Sequence, residues 1–486
     1  MNRRDFLKAL AVGGATMALP RTLLWAGTPA GGAKMNVLFL VVDDLRTQLA
    51  CYGHKQIISP NIDALASRGL LLERAYCQQA VCAPSRTSVL TGCRPDTTGV
   101  HDLETPLSKA RPDLVSLPRL FKTAGYETVS LGKVYHHAND DPAAWSAAPW
   151  RPRGQWIGRG YLSPETQALC RRLAEQAGGR PDRGPAFEAA DVPDNAYFDG
   201  LLADRAVEEL RRLKDRPFFL AVGFIKPHLP FCAPRKYWDL YKRADMPLSD
   251  QKDWPDGMPP LAGSNWGELR FFAGIPDKGK LTDEQARELI HGYYACVSYT
   301  DAQIGRVVGE LDRLGLRDKT VIVLWGDHGW KLGEYSAWCK HTNFELDTHA
   351  PLILQAPGHK AGLRSSRLVE FVDIYPTLAE LCGLTAPASC EGTSMAPLLR
   401  QPDRAWKAAA FSQYPRGAIM GYSMRTDRWR YTEWVDRKTK AVTARELYDH
   451  RSGEVARVNL ADRVENARTV GDLSAMLTAG GRAARP

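Results

Sequence analysis

The sequence predicts an α/β protein: a mainly parallel sheet covered by helices on both faces, with a smaller C-terminal antiparallel-sheet subdomain. Three observations carry this. The run MNVLFLVV (35–42) is continuously apolar and rich in β-branched residues, as expected of a strand buried on both faces. Amphipathic helical stretches alternate with further short apolar runs, the pattern of βαβ units. After Pro397 the composition changes to short alternating segments such as GYSMRTDRWRYTEW and ARELYDHRSGE, which read as a small antiparallel sheet with a packed helix.

The elements follow in order. SPNIDALASRG (59–69) opens on Ser-Pro and closes on Gly, the punctuation of a helix. Residues 117–124 read as a helix stopped by Gly125, and YETVSLGK as a strand that ends at Lys133. RAVEELRRLKDRPFFLAVGFIKPHLPF repeats the helix-strand pair and places His228 just beyond the strand. YTDAQIGRVVGELDRLGLRDKTVIVLWGDHG repeats it again and ends at Asp327-His328. Four such strands therefore carry Asp, Lys or His at their carboxyl ends, where open α/β sheets gather ligands. The stretches 141–194 and 246–276, rich in Pro, Gly and Trp, read as ordered loops over that end.

The 486 residues, 44% hydrophobic and 24% charged, are enough for a main domain with a smaller partner. The net charge of +9 favours anionic partners, but its basic residues are scattered and no zinc-finger spacing occurs, which argues against nucleic acid. MNRRDFLKALAVGGATMALP pairs Arg3-Arg4 with a short apolar run closed by Pro20. It resembles a twin-arginine export signal, with periplasmic or secreted location as its consequence. We assign residues 1–33 to that segment, 34–397 to the main α/β domain and 398–486 to the C-terminal α+β subdomain. No other segment reads as a transmembrane anchor. The ten cysteines show no CxxC pair; Cys382 and Cys390 are spaced to close a short loop.

The sharpest local signal is Cys82-Ala83-Pro84-Ser85-Arg86, followed by TSVLTG. Pro84 suits a first helical turn, so Cys82 stands at a helix N-terminus whose amides favour an anion. Asp43-Asp44 and Asp327-His328 end two of the strands; three carboxylates and an imidazole suit a hard divalent cation such as calcium or magnesium. Each pair alone could equally cap a helix. Lys133 and His136 (GKVYH), His228 (KPHLPF) and Lys340-His341 (WCKHTNF) complete the set, although a lone lysine is usually solvated and a lone histidine usually structural.

Together these segments resemble the type I sulfatases of the alkaline phosphatase superfamily, in particular the iduronate 2-sulfatase branch. VVDDLR, SPNIDALA, QQAVCAPSR, LTGCRPDTT, GKVYH, KPHLPF and GDHGWKLGE carry the likeness, which runs from about residue 36 to ELYDHRSGE. The resemblance implies an alkaline-phosphatase-like fold and hydrolysis of a sulfate ester, the 2-O-sulfate of a uronic acid or related sugar in a sulfated polysaccharide. It also implies that a maturase converts Cys82 to formylglycine, whose hydrate is the nucleophile. Calcium would be held by Asp43, Asp44, Asp327, His328 and an oxygen of modified Cys82. Arg86 would stabilise the modified residue, and Lys133 and Lys340 would bind sulfate. His136 would assist the hydrate, with His137 as the neighbouring candidate, and His228 would protonate the departing oxygen. Trp330, Trp338 and His341 flank the expected pocket; Trp330 and His341 are assigned to the sugar. Cys93 stands where many sulfatases have Arg, and His328 where many have Asn. Two rival readings are a phosphodiesterase or phosphonate monoester hydrolase of the same superfamily and an inactive sulfated-glycan-binding protein.

Overall fold

The computed structural model describes residues 34–484 except 137–139, 153–159, 177–183 and 452. The export segment assigned to residues 1–33 lies outside the described residues. Seven strands form the main sheet: β1 (Asn36–Val42), β2 (Leu70–Tyr76), β3 (Glu127–Gly132), β4 (Phe218–Phe224), β5 (Thr320–Gly326), β6 (Leu352–Gln355) and β7 (Leu363–Glu370). Their spatial order is β7-β2-β6-β5-β1-β4-β3. Only β6 runs against its neighbours; the other pairings are parallel. Every residue of β1, β4 and β5 is buried, which explains why, beyond Asn36 and Thr320 at the starts of β1 and β5, the three runs are apolar with no alternation.

The alternation reappears as two cores. Leu38, Leu40 and Val42 of β1 pack with α1 (Pro60–Ser67), α4 (Phe198–Leu213) and α6 (Asp283–Arg313), where α5 (Gly267–Arg270) is a single turn between the last two. Val37, Phe39 and Val41 point the other way, onto α2 (Cys82–Thr91), α3 (Leu117–Thr123) and α7 (Ile374–Leu381). Helices thus cover both faces, as the sequence predicts. The 141–194 stretch carries a 13-residue helix, Pro164–Gln176, and a short strand, Phe187–Ala190, paired in parallel with Phe231–Pro234.

The C-terminal sheet is an antiparallel meander of β8 (Ala410–Arg416), β9 (Ile419–Arg425), β10 (Trp429–Asp436) and β11 (Val442–Asp449). One face buries Phe411, Met424, Tyr431 and Leu447 with Leu473 of α8 (Ala467–Ala483). β8 is tied to the end of β2 by Gln413 N–H donating to the Gln78 carbonyl at 2.7 Å and by Ser412 Oγ donating to the Cys77 carbonyl at 2.6 Å. Residues 34–486 cluster as one contact unit.

Register decides what lies at the carboxyl ends. Val42 stands opposite both Phe224 of β4 and Gly326 of β5, so Asp43-Asp44 leave the sheet beside Asp327-His328. The amides continue the ladder: Asp43 N–H donates to Phe224 O and Asp327 N–H to Val42 O, each at 3.2 Å. On the far side Gly132 opposes Gly223, and Lys133 N–H donates to Gly223 O at 2.8 Å. This crossing tolerates no side chain. A Cβ on Gly223 would lie 2.1 Å from Lys133 O, and Gly132 holds a left-handed φ of 71°. Gly223→Ala is therefore expected to cost about 1–3 kcal/mol, read as a lower urea midpoint; an unchanged midpoint would refute this account of how Lys133 is placed.

Candidate active site

The CAPSR segment folds as the first turn of α2, with Pro84 at a position that needs no N–H partner. Cys82 is the first residue of that helix and is 3% exposed. Its Sγ lies 3.4 Å from Asp43 Oδ1 and 3.3 Å from His328 Nε2. Ser85, one turn on, donates to the Asp327 carbonyl, which fastens the helix to the end of β5.

Arg86 is fully buried and joins three strand ends. Nε donates to Asp327 Oδ2 at 2.9 Å, Nη2 is 3.2 Å from Asp43 Oδ1, and Nη1 donates to the carbonyls of Lys133 and Val134. The Lys133 ammonium pairs with Asp43 Oδ2. Burial alone would raise the Asp43 pKa, but the Lys133 and Arg86 cations outweigh it and hold the carboxyl well below the usual range. Asp44 has a left-handed φ of 60°, rare for a non-glycine residue, and its carbonyl accepts from the Tyr293 hydroxyl at 2.8 Å.

His328 Nδ1 donates to Gly329 O at 3.0 Å, which leaves the Nε2 lone pair facing Asp44 at 3.6 Å and Cys82. Asp43, Asp44, Cys82 and His328 each offer a ligand atom within 4.8 Å of the others. This set, with one imidazole lone pair aimed among carboxylate oxygens, fits a hard divalent cation. Asp327 stands beside the group: Oδ1 accepts the amides of Asp44 at 3.0 Å and His328 at 3.1 Å, and Oδ2 accepts from Arg86 and keeps a second lone pair.

A cavity of about 430 Å³ opens over Cys82, and His136, His228, Lys340 and His341 reach its wall. Lys340 Nζ lies 3.0 Å from Asp44 Oδ1 and 4.8 Å above the Trp330 ring. Trp330 itself is fully buried, so the structure places it behind Lys340 and not on the wall; Trp338, 2% exposed, is likewise packed inside. His137 lies outside the described residues. The sequence reading missed Glu268 of α5. Its carboxylate touches Lys340 Nζ at 2.8 Å and His228 Nε2 at 3.0 Å. The only signal for it was its position in the 246–276 loop. Cys382 and Cys390 are not brought together as a closed loop: Cys382 Sγ faces Met35 O at 3.8 Å, Cys390 Sγ faces Gly92 O at 3.7 Å, and no disulfide joins any of the ten cysteines, all of which are among the described residues.

A family profile described as Sulfatase matches residues 35–384. The chain belongs to the sulfatase family. A second profile, N-sulphoglucosamine sulphohydrolase C-terminal, matches residues 333–480 of this sulfatase, and a twin-arginine translocation signal matches residues 1–20. Iduronate 2-sulfatase of Homo sapiens is 35% identical, covering 82% of this chain and 85% of the relative. A sulfatase of Formosa agariphila is 30% identical over 91% of this chain and 86% of its own. In fold, the phosphonate monoester hydrolase of Agrobacterium radiobacter superposes with a TM-score of 0.75 at 23% identity, over 93% of this chain and 96% of the other. The protein is thus a sulfuric ester hydrolase with an alkaline-phosphatase-like fold, addressed for export by a twin-arginine signal. Among the described residues no helix is long and apolar enough to cross a membrane.

Two outcomes follow from this geometry. A divalent cation, calcium or magnesium, at a hundred times its dissociation constant is expected to stabilise the folded protein by about 2.7 kcal/mol, seen as a higher urea midpoint, and Asp44→Asn to remove most of that gain; an equal gain in the variant would separate Asp44 from the cation. For His341, burial and the Lys340 ammonium lower the pKa from 6.5 to about 3. Between these values the unfolded chain binds the proton and the native state does not. Stability is therefore lost as pH falls through 6.5 and toward 3. His341→Gln should flatten the decline in urea midpoint between about pH 7 and pH 5; a variant with the same slope as the parent would exclude His341 as its source.

Proposed function

We propose that this sulfatase removes the 2-O-sulfate of a uronic acid, or a related sulfate of a sugar, from a sulfated polysaccharide, using formylglycine made from Cys82 and a calcium ion. The observation that carries the reading is that Cys82 Sγ sits 3.4 Å from Asp43 and 3.3 Å from His328, lining one cavity with Lys340 and His228. The 35% identity to iduronate 2-sulfatase across most of both chains supports the sugar and the position of its sulfate.

Unmodified, Cys82 is a poor nucleophile here. Burial, reinforced by the Asp43 carboxylate, pushes its thiol well above the usual pKa, away from the reactive thiolate. Formylglycine would supply a hydroxyl able to attack sulfur, and calcium held by Asp43, Asp44, Asp327 and His328 would supply Lewis-acid polarisation of the sulfate. At 3% exposure Cys82 is out of reach of a maturase in the folded protein, so modification precedes folding.

The chain's own residues do the rest. Lys133 and Lys340, 4% and 2% exposed, carry fixed positive charge in a dry site, where it is worth far more against a developing anion than in water. Arg86 holds Asp43 and Asp327 in place and offsets their charge. His136, on the cavity wall, accepts a proton from the nucleophile's hydroxyl. His228 donates Nδ1–H to Leu229 O at 2.6 Å, which turns Nε2 toward the cavity to protonate the departing sugar oxygen. An alkoxide is a poor leaving group, so this proton counts most for a sugar substrate.

Incubating matured enzyme with defined sulfated saccharides and measuring released sulfate tests the proposal. A uronic acid 2-O-sulfate is expected to be the best substrate, and Cys82→Ser to lose ordinary turnover. Faster cleavage of an aryl phosphate diester than of any sulfate ester would favour the phosphodiesterase reading. Glycan binding without turnover by enzyme whose intact mass shows unmodified Cys82 would favour the binding protein.

A further inference from the structure

We infer that Glu268 is a positioning residue of the reaction, whose carboxylate sets the aim of His228. The inference rests on the proposed role of His228 as the leaving-group acid and extends it to a residue for which no role has been assigned.

The first support is how firmly Glu268 is held. It sits in a single turn, α5, whose neighbours are anchored: Leu269 and Phe272 are buried at 1% and 7% exposure. Arg270 clamps the loop, with its guanidinium 3.3 Å from the centre of the Trp266 ring. It also donates to the carbonyls of Asn265 at 2.9 Å, Pro276 at 2.6 Å and Gly279 at 2.9 Å. A side chain on such a turn has little freedom to swing away, so its contacts are fixed ones.

The second support is the hydrogen-bond inventory of His228. The strap that carries it is pinned by Asp199, which accepts the amides of Ile225 at 2.9 Å and Lys226 at 2.8 Å, and by Lys226 Nζ, which donates to the His228 carbonyl at 2.8 Å. Nδ1 faces a carbonyl, which only accepts, so Nδ1 carries a hydrogen. Nε2 faces a Glu268 oxygen at 3.0 Å, so the carboxylate holds the ring with this nitrogen on the cavity side. The same carboxylate touches Lys340 Nζ at 2.8 Å, but Lys340 is also held by Asp44 at 3.0 Å and so keeps its place without Glu268.

In the reaction, the electron pair of the breaking S–O bond goes to the departing sugar oxygen. That oxygen takes the Nε2 hydrogen: an O–H bond forms, an N–H bond breaks, and His228 is left neutral with its Nδ1–H intact. Glu268 touches neither sulfur nor the oxygen; it determines where Nε2 stands when the hydrogen is taken.

Leaving-group chemistry separates this role from a merely structural one. Matured wild type, Glu268→Gln and His228→Ala are compared on a monosaccharide sulfate and on 4-nitrophenyl sulfate, whose phenolate departs without a proton. Glu268→Gln and His228→Ala are each expected to lower kcat on the sugar sulfate by about 100-fold and to change kcat on the aryl sulfate by much less. The double variant is expected to lose no more than the worse single one, because the two residues act as a unit. If His228→Ala shows the bias and Glu268→Gln does not, the inference about Glu268 falls while the reading of His228 stands. If His228→Ala shows no bias, both fall. Should Glu268→Gln fail to fold, Glu268→Asp, which keeps the charge but withdraws it by one methylene, must show the same bias, and equal losses on both substrates overturn the inference.

Discussion

The alignment of β1 with β5 is the constraint on which the site depends. Because Val42 and Gly326 are partners in a parallel ladder, the two acidic pairs leave the sheet at the same level, and Asp44 N–H can donate to Asp327 Oδ1 across the strand ends. Side chains in a strand alternate between faces, so a slip of one residue would send Asp43 and Asp327 to opposite sides. The register is held by the cores above and below: every residue of both strands is buried. Apolar packing thus fixes the position of the charged groups to within a hydrogen bond.

That position carries an electrostatic cost, and the site meets it with close pairing. Asp43, Asp44, Asp327 and Glu268 face Arg86, Lys133 and Lys340, all but Glu268 nearly sealed from water. Leaving one partner of such a pair uncompensated costs about 3–5 kcal/mol, so the loss of any one member is felt by its partners. The same scarcity of water makes the lysines effective toward an anion, since their field is little screened. Stability and binding therefore rest on one arrangement of charge.

The C-terminal sheet contributes by holding the loop that delivers Lys340 and His341. Residues 335, 336, 339 and 341 of that loop have positive φ without being glycine, a conformation that persists only when the surroundings impose it. The surroundings include Arg416 Nη2, which donates to the His341 carbonyl at 2.6 Å, and Asn343 Nδ2, which donates to Gly421 O at 2.9 Å. Glu345, just beyond, is ion-paired with Arg425 and Arg430 of β9 and β10. The small sheet is thus a wall against which a strained active-site loop is braced, and nothing in it needs to contact substrate for the site to depend on it.

Periodicity and punctuation in the sequence determined the strands, the helices on both faces and the late antiparallel sheet, because burial on two faces demands continuous apolar runs and burial on one demands alternation. The same reading located Cys82, Arg86, Lys133, His136, His228 and Lys340, since each stands in a short motif at a strand or helix end. Tertiary structure alone decided matters that depend on distant packing. It ran β6 antiparallel, which no local pattern specifies, and it sealed Trp330 behind Lys340, because motif proximity does not reveal which way a ring turns. It also brought Glu268 from an unmarked loop into contact with His228 and Lys340, a meeting set by the clamp on Arg270 and by the strap through Asp199. Local composition encodes which segments are strands and where they stop; which side chains meet across them is settled by the three-dimensional path of the chain between.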